Sequence, residues 1–245
     1  MIEGVTFDWW HTIAETPWPD WDDRMKVLRI ETIEGALEGG GVVVSREDLA
    51  RAYERHTELL VSSWRKLVDL TAEEQVQAFL GFAGVDGYGD GLLVPVERAF
   101  GRALETSLPV LYPHLAQTLA HLRKAGYRIG LVSNTGRTWG RFLRPIQDAF
   151  GIGRFFDVRV FSDEVGVRKP DARIFEAALE ALALPPGEVV HVGDDVEADV
   201  AGAMGLGMRA VWFNTGLWAG AKGDGADAEI ADHADLSGVL ARWSP

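Results

Sequence analysis

The sequence of 245 residues contains no cysteine, which excludes disulfide bonds, thiolate nucleophiles and cysteine-based metal sites. It also has no excess of positive charge, because 24 Lys and Arg residues face 37 Asp and Glu residues and the formal net charge is −13. This balance disfavours nucleic acids and anionic membranes, which bind basic surfaces. No apolar run approaches the roughly 18 residues that span a membrane. We therefore expect neither nucleic acid nor membrane among the partners.

The first residues lack the basic and apolar regions of a secretory signal, since a strand is predicted from residue 2 onward. Together with the missing cysteine, this predicts a cytoplasmic protein. The composition is that of a globular protein, with 47% hydrophobic and 25% charged residues. Its length allows a large domain with a smaller partner domain. In so acidic a chain, a phosphate or carboxylate substrate needs local positive charge from Lys, Arg or a metal ion.

Residues 5–13, Val-Thr-Phe-Asp-Trp-Trp-His-Thr-Ile, are the stretch around which we place the rest of the chain. A short apolar run here predicts a buried strand, and Asp8 stands where that strand ends. Open α/β sheets bind ligands in the crevice at the carboxyl ends of their strands. Asp8 is therefore the first candidate for chemistry, although an Asp at this place can also cap a turn.

Three later stretches also bring polar residues to predicted strand or helix ends: residues 130–136, residues 166–171 and residues 189–199. Their candidate residues are Ser133, Asn134, Lys169, Asp194, Asp195 and Asp199. In this order, with Asp8 ahead of them, the four stretches resemble the four motifs of the haloacid dehalogenase superfamily of hydrolases. The resemblance extends over nearly the whole chain.

Periodicity predicts five strands, at residues 2–7, 127–132, 157–161, 189–192 and 208–213, with helices at 113–125, 138–150, 171–183, 196–205 and 236–243. This alternation predicts an α/β fold with a doubly wound parallel sheet. Residues 22–107 instead read as four helices, the last ending near residue 107, and Thr71 with Glu74 has the spacing of a capping box. The resemblance implies a Rossmann-like core, residues 1–15 and 108–245, and a smaller all-α cap domain, residues 16–107.

The resemblance also implies catalytic roles. Asp8 would be the nucleophile, since a carboxylate can attack phosphorus or carbon to form an aspartyl intermediate. The Thr12 hydroxyl would orient the Asp8 carboxylate or its turn. Ser133 would bind a phosphoryl oxygen or a substrate carboxylate, with Asn134 beside it in the pocket. Lys169 would bind the transferred group and offset charge among the acids.

A metal site is implied by the same resemblance. Its ligands would be Asp8, the backbone carbonyl of Trp10 and Asp194, and oxygen ligands of this kind suit Mg²⁺. Asp195 would bind through water, and Asp199 would orient the loop or complete the site. These acids also suit a second role, which is to cap the helix predicted from residue 196.

Trp10 is the main departure from the family pattern. Phosphatases of the family carry a second Asp at this position, which protonates the leaving group and later deprotonates water. An indole cannot do so, and losing a positioned acid–base group typically costs about 10²–10⁴-fold in rate. We expect Trp10 to form a wall of the substrate pocket. His11 follows where the family usually has Gly, and the favoured interpretation is a solvent-facing or hydrogen-bonded structural His. The alternative is that its imidazole substitutes for the missing proton transfer.

Three functions compete. The first is a Mg²⁺-dependent phosphohydrolase that acts on a small organic phosphate. The second is a 2-haloacid dehalogenase, in which Asp8 attacks carbon and the halide leaves without a proton, so that an aromatic residue such as Trp10 fits. Those enzymes use no metal and have small polar residues in place of paired acids. The third is a phosphate-ligand-binding protein that has lost efficient turnover.

Overall fold

The computed structural model describes residues 1–218 and 220–243. Its strands are β1 (Gly4–Phe7), β2 (Ala14–Glu15), β3 (Val110–Leu111), β4 (Arg128–Ser133), β5 (Val158–Phe161), β6 (Val189–Gly193), β7 (Arg209–Phe213) and β8 (Ala228–Ile230). Its helices are α1 (Trp21–Gly39), α2 (Arg46–Trp64), α3 (Ala72–Phe82), α4 (Asp90–Arg102), α5 (Leu115–Lys124), α6 (Gly140–Ala149), α7 (Ser162–Val165), α8 (Ala172–Leu182), α9 (Gly202–Gly205) and α10 (Leu236–Ala241).

Six strands form one sheet in the order β5–β4–β1–β6–β7–β8, and every neighbouring pair is parallel. The central strand β1 lies between β4 and β6. On one side of β1 the sheet continues through β4 and β5, and on the other side it continues through β6, β7 and β8. The crevice at such a switch point is where open α/β sheets bind ligands. Asp8, directly after β1, therefore stands at the expected place.

Both faces of the sheet are covered, because alternate residues of each strand point to opposite sides. Val190 and Val192 of β6 belong to the hydrophobic cluster that includes α5 and α10. Val189 belongs instead to the cluster that includes α8 and α9. This arrangement confirms the α/β fold with a doubly wound parallel sheet.

Helices α1–α4 form an all-helical insertion between β2 and β3, with a hydrophobic cluster of its own. At its centre Phe79 and Phe100 pack edge to face, with ring centroids 4.9 Å apart. The predicted capping box is confirmed, since the Thr71 hydroxyl accepts the Glu74 N–H while the Glu74 carboxylate accepts the Thr71 N–H. The exact domain boundaries stay a prediction, and the predicted core range includes residues 219, 244 and 245, which lie outside the described residues.

The structure adds elements that the sequence did not predict, among them α7, and changes the bounds of others. β2 and β3 form a short antiparallel pair, and β8 adds a sixth strand to the sheet. These strands have two or three residues each, too few for a periodic pattern. The last helix of the insertion ends at Arg102, and residues 196–201 are π-helical before the short α9. Among the described residues, no helix combines the length and the hydropathy of a membrane span.

Candidate functional site

Three side chains from distant parts of the chain meet beside the end of β1. The Lys169 ammonium, just before α8, donates to Asp8 Oδ1 at 2.6 Å and to Asp199 Oδ1 at 2.5 Å. All three side chains are buried. The parallel topology explains the encounter, because the carboxyl ends of β1 and β6 lie side by side at one edge of the sheet.

Asp194 completes an acidic cluster. Ligand oxygens of Asp8, Asp194 and Asp199 all lie within 4.8 Å of one another. Burial raises the pKa of Asp8 to about 8 and that of Asp194 to about 7, with Asp199 adding to both shifts. Burial also acts to raise the pKa of Asp199, but Lys169 and His191 outweigh it and lower that pKa below its usual range. Three carboxylates thus share one ammonium.

The donor set fits a divalent cation. Full ionisation of three carboxylates beside one ammonium leaves a local charge of about −2, which a hard ion such as Mg²⁺ would offset. The carbonyl of Trp10 is available as a further oxygen ligand, because the backbone N–H groups of this turn bond the carbonyls of Trp9 and Ala14 instead. Metal binding would favour the ionised form of Asp8, which is the form that a carboxylate nucleophile needs.

Asp195 points elsewhere. Its Oδ1 accepts the N–H groups of Glu197 and Ala198, at 2.8 Å and 2.9 Å, and so caps the π-helical segment. Its own N–H bonds Asp199 Oδ2 at 3.0 Å. Asp195 lies outside the acidic cluster, and its contact with a metal through water stays a prediction.

The hydroxyl residues of the site bond neighbouring protein groups, and the predicted contact of Ser133 with a substrate stays a prediction. Thr12 Oγ1 donates to Asp194 Oδ1 at 3.3 Å and not to Asp8. Ser133 Oγ, fully buried at the end of β4, donates to the carbonyl of Asn134 at 3.3 Å. The Asn134 amide accepts the N–H of Lys169 at 2.8 Å and donates to the Lys169 carbonyl at 3.2 Å. Asn134 therefore holds the backbone of the central Lys.

A cavity of about 980 Å³ lies between this edge of the sheet and the helical insertion. Trp10 and Asn134 line it, as do Trp21 on α1 and Tyr53 on α2. The Trp10 ring packs against Trp9 and Trp21, with centroids 6.2 Å and 5.6 Å away. Trp10 is thus both packed and part of the cavity wall.

His11 also lines the cavity, and its φ of +57° is in the left-handed region that glycine favours. The structure thereby explains why a glycine suits this position, and a non-glycine residue there costs roughly 1–2 kcal/mol. Burial lowers the pKa of His11 below its usual value, although Glu15 and Asp22 act in the opposite direction. The imidazole is therefore neutral at pH 7.

The family model of haloacid dehalogenase-like hydrolases matches residues 2–207. The chain belongs to this family. A glyceraldehyde 3-phosphate phosphatase from Methanocaldococcus jannaschii is 33% identical over 235 residues, which are 95% of this chain and 92% of that protein. The phosphatase of the same name from Methanothermobacter thermautotrophicus is 38% identical over 130 residues, 52% of this chain and 51% of that protein, so this match spans about half of each.

Among solved structures, the 2-haloacid dehalogenase from Pseudomonas syringae pv. Tomato DC3000 superposes with a TM-score of 0.73. It is 26% identical, and the match covers 100% of both chains. The proteins to which this chain is similar therefore include two named as phosphatases and one named as a dehalogenase. The fold is common to both, so the choice between them depends on the residues of the site.

Sequence reasoning missed several residues around the site of this haloacid dehalogenase-like hydrolase. His191 bonds Asp199 at 3.1 Å and Thr6 at 2.9 Å, and a lone His inside the apolar β6 is a signal that could have identified it. Trp218 Nε1 donates to Asp194 Oδ2 at 2.7 Å. Arg168 pairs with the buried Asp69 at 2.7 Å. Nothing local in the sequence marks Trp218 or Asp69, because their partners are far away along the chain.

Proposed function

We propose that this hydrolase is a Mg²⁺-dependent phosphohydrolase that cleaves a small organic phosphate through an aspartyl-phosphate intermediate. The observation that carries the proposal is the acidic cluster of Asp8, Asp194 and Asp199 around one Lys169 ammonium. A carboxylate nucleophile, a fixed cation and a divalent-metal donor set in one place suit phosphoryl transfer, which depends on positioning and charge stabilisation.

In the first step an Asp8 carboxylate oxygen attacks phosphorus, the ester P–O bond breaks, and the leaving oxygen departs with the bonding electrons. Lys169, which already bonds Asp8 Oδ1, stabilises the charge on the transferred group. In the second step water attacks the same phosphorus, the bond to Asp8 breaks, and inorganic phosphate leaves. The neutral imidazole of His11 would accept the proton of that water.

Asp8, Asp194 and the carbonyl of Trp10 would hold Mg²⁺. When bound, the ion supplies positive charge that offsets the carboxylates and the phosphoryl oxygens. Asp199 remains bonded to Lys169 and His191, so it would orient Lys169.

Trp10 should determine which phosphate esters are hydrolysed fastest. With an indole where an acid would protonate the leaving oxygen, the rate should depend steeply on the pKa of the leaving group. Aryl and acyl phosphates should therefore react much faster than alkyl phosphates. Equal rates on matched aryl and alkyl phosphates would contradict this role for Trp10.

A 2-haloacid dehalogenase is the second candidate, because halide leaves without a proton. The absence of an acid at Trp10 would then not lower the rate. The acidic cluster argues against it. A carboxylate placed next to Asp8 and Asp194 would be repelled at close range, because the Lys169 ammonium alone does not offset the charge of three ionised carboxylates. A phosphate-binding protein without turnover is the third candidate, and tight binding of a phosphate ligand without phosphate release would identify it.

The deciding experiment measures p-nitrophenyl phosphate hydrolysis by the purified protein with and without Mg²⁺, alongside Asp8→Asn. We expect phosphate release that needs both the metal and Asp8. Asp195→Asn is the matched control, since it also neutralises an acid beside Asp194 but lies outside the cluster. If no phosphate is released under any condition while 2-haloacids yield halide, the dehalogenase reading replaces this one.

A further inference from the structure

Two arginines in the cavity wall have no acidic partner. Arg29 lies on α1 and Arg137 follows β4, and both line the cavity between the sheet edge and the helical insertion. Arg29 is only 7% exposed. Burial lowers the pKa of Arg137 and Arg29 adds to this shift, while Tyr53 and the more distant Glu54 and Asp22 act in the opposite direction. Within residues 1–218 and 220–243, no carboxylate oxygen lies within 4.0 Å of either guanidinium group.

Other cations around this cavity are paired. Arg168 bonds the buried Asp69, and Lys26 forms an ion pair with Glu54. The remaining acids of the cavity wall, Asp22 and Asp23, are exposed in the first turn of α1. A buried charge without a counter-ion costs several kcal/mol, so proteins rarely keep one. Arg29 is such a charge, and the half-buried Arg137 lines the same cavity.

The partners that do hold the two guanidinium groups are uncharged. Arg29 donates to the carbonyl of Phe100 at 3.4 Å, to the Tyr53 hydroxyl at 3.4 Å and to Thr138 Oγ1 at 3.0 Å. These bonds orient the group without neutralising it.

Arg137 is held in the same way. Its Nε donates to His56 Nδ1 at 3.3 Å and its Nη2 donates to Thr57 Oγ1. The ring of Tyr53 lies 4.2 Å from its guanidinium carbon. Burial, Arg137 and Arg29 together lower the pKa of His56 to about 3, so this partner is neutral. No hydrogen bond of Arg137 Nη1 is found among the described residues, which leaves donors for a ligand.

We propose that Arg29 and Arg137 form a subsite for a second anionic group of the substrate, in the wall of the cavity that Trp10 and Asn134 also line. The substrate would then be a phosphomonoester whose leaving group carries a carboxylate or a second phosphate. Guanidinium forks suit both anions, because they can present two parallel N–H donors. The inference rests on the proposed function, which assigns the phosphoryl end to Asp8 and Lys169.

Two substrate pairs test the subsite. The first compares 3-phosphoglycerate with glycerol 3-phosphate, which differ by a carboxylate against a hydroxymethyl group. The second compares fructose 1,6-bisphosphate with fructose 6-phosphate, and so distinguishes a second phosphate from a carboxylate. We expect the anionic member of at least one pair to have a kcat/KM about 10- to 100-fold higher, the range of one charged hydrogen bond. Equal values within both pairs would overturn the proposal.

Arg137→Gln should bring the preferred ratio close to one. Arg141→Gln is the matched control, because it removes an arginine that pairs with Glu97 outside the cavity and should keep the ratio of the wild type. Arg137→Lys retains the charge and should retain part of the preference, which a purely structural role would not require. If Arg137→Gln fails to fold, the two substrate pairs on the wild type still decide the question.

Calorimetry separates this inference from the proposed function. Asp8→Asn is titrated with the same four phosphates in the presence of Mg²⁺, so that binding is measured without turnover. If the wild type hydrolyses no phosphate ester, the proposed function fails. Tighter binding of the anionic member of a pair would still support the subsite, and equal binding within both pairs would reject it.

Discussion

Asp8, the proposed nucleophile, lies where burial disfavours its ionised form. Its pKa of about 8 in the metal-free fold exceeds the ordinary value of 3.8. Between these values the folded state holds a proton that the unfolded state has lost. Stability therefore falls as the pH rises, by roughly 1 kcal/mol per pH unit for this group alone.

This linkage predicts how Mg²⁺ and pH act together. In metal-free protein, Asp8→Asn should stabilise the fold more at pH 8 than at pH 5, because the variant removes the ionisation that burial penalises. Mg²⁺ should raise the melting temperature of the wild type more at pH 8 than at pH 5. Thermal unfolding at both pH values, with and without the ion, checks the sign. A Mg²⁺ effect that is larger at pH 5 would show that the ion binds somewhere other than at Asp8.

His11 gives a second prediction at the scale of one residue. If its neutral imidazole accepts the proton of the hydrolytic water, His11→Ala should lower kcat by roughly 10²-fold. It should also remove the rise of kcat with pH below pH 6.5, since the pKa of His11 is lowered from that value.

His11→Asn is the matched variant, because Asn tolerates the left-handed backbone but does not titrate. It should lose the same rise of kcat with pH. An unchanged profile in both variants would remove His11 from the mechanism.

At the scale of an element, the π-helical segment after β6 separates two adjacent acids. Asp195→Ala removes a cap and should cost about 1 kcal/mol of stability while Mg²⁺ dependence is kept. Asp194→Ala should instead weaken Mg²⁺ activation. Chemical denaturation and activity at varied Mg²⁺ distinguish the two variants. Equal loss of Mg²⁺ activation in both would restore Asp195 as a ligand.

The sequence predicted the site best where the polar residues lie directly at the end of a strand or at the start of a helix. Asp8, Lys169 and Asp194 each follow or precede a strand or helix that the sequence pattern predicts, so the parallel topology was enough to bring them together. The side-chain partners were not predictable in the same way. Thr12 bonds Asp194 and Trp218 reaches the same carboxylate, because packing of loops and not periodicity selects these contacts. β8 was not predicted because its three residues are too few to show a periodic pattern.

At the scale of the whole molecule, the helical insertion packs very closely against the sheet domain where α4 contacts α6. A Cβ added at Gly101 of α4 would lie 2.1 Å from the ring of Phe142 on α6. Gly101→Ala should therefore destabilise the protein by about 1–3 kcal/mol. Gly81→Ala, in α3 with open space around it, should be neutral or stabilising by up to about 1 kcal/mol.

Denaturant unfolding of the two variants measures the difference. Because the insertion also forms a wall of the cavity, Gly101→Ala should raise KM more than it lowers kcat. Equal stability of the two variants would mean that Phe142 moves aside without cost.

The contact between Trp218 and Asp194 makes the metal site visible to spectroscopy. The indole is 49% exposed, yet its N–H bonds a carboxylate that would hold Mg²⁺. Any change in the charge on that carboxylate alters the electric field at the chromophore. Intrinsic emission should therefore shift on titration with Mg²⁺, and Trp218→Phe should suppress the shift although eight other tryptophans remain of the nine in the chain. Such a shift would give the protein a built-in optical signal for occupancy of the proposed cation site.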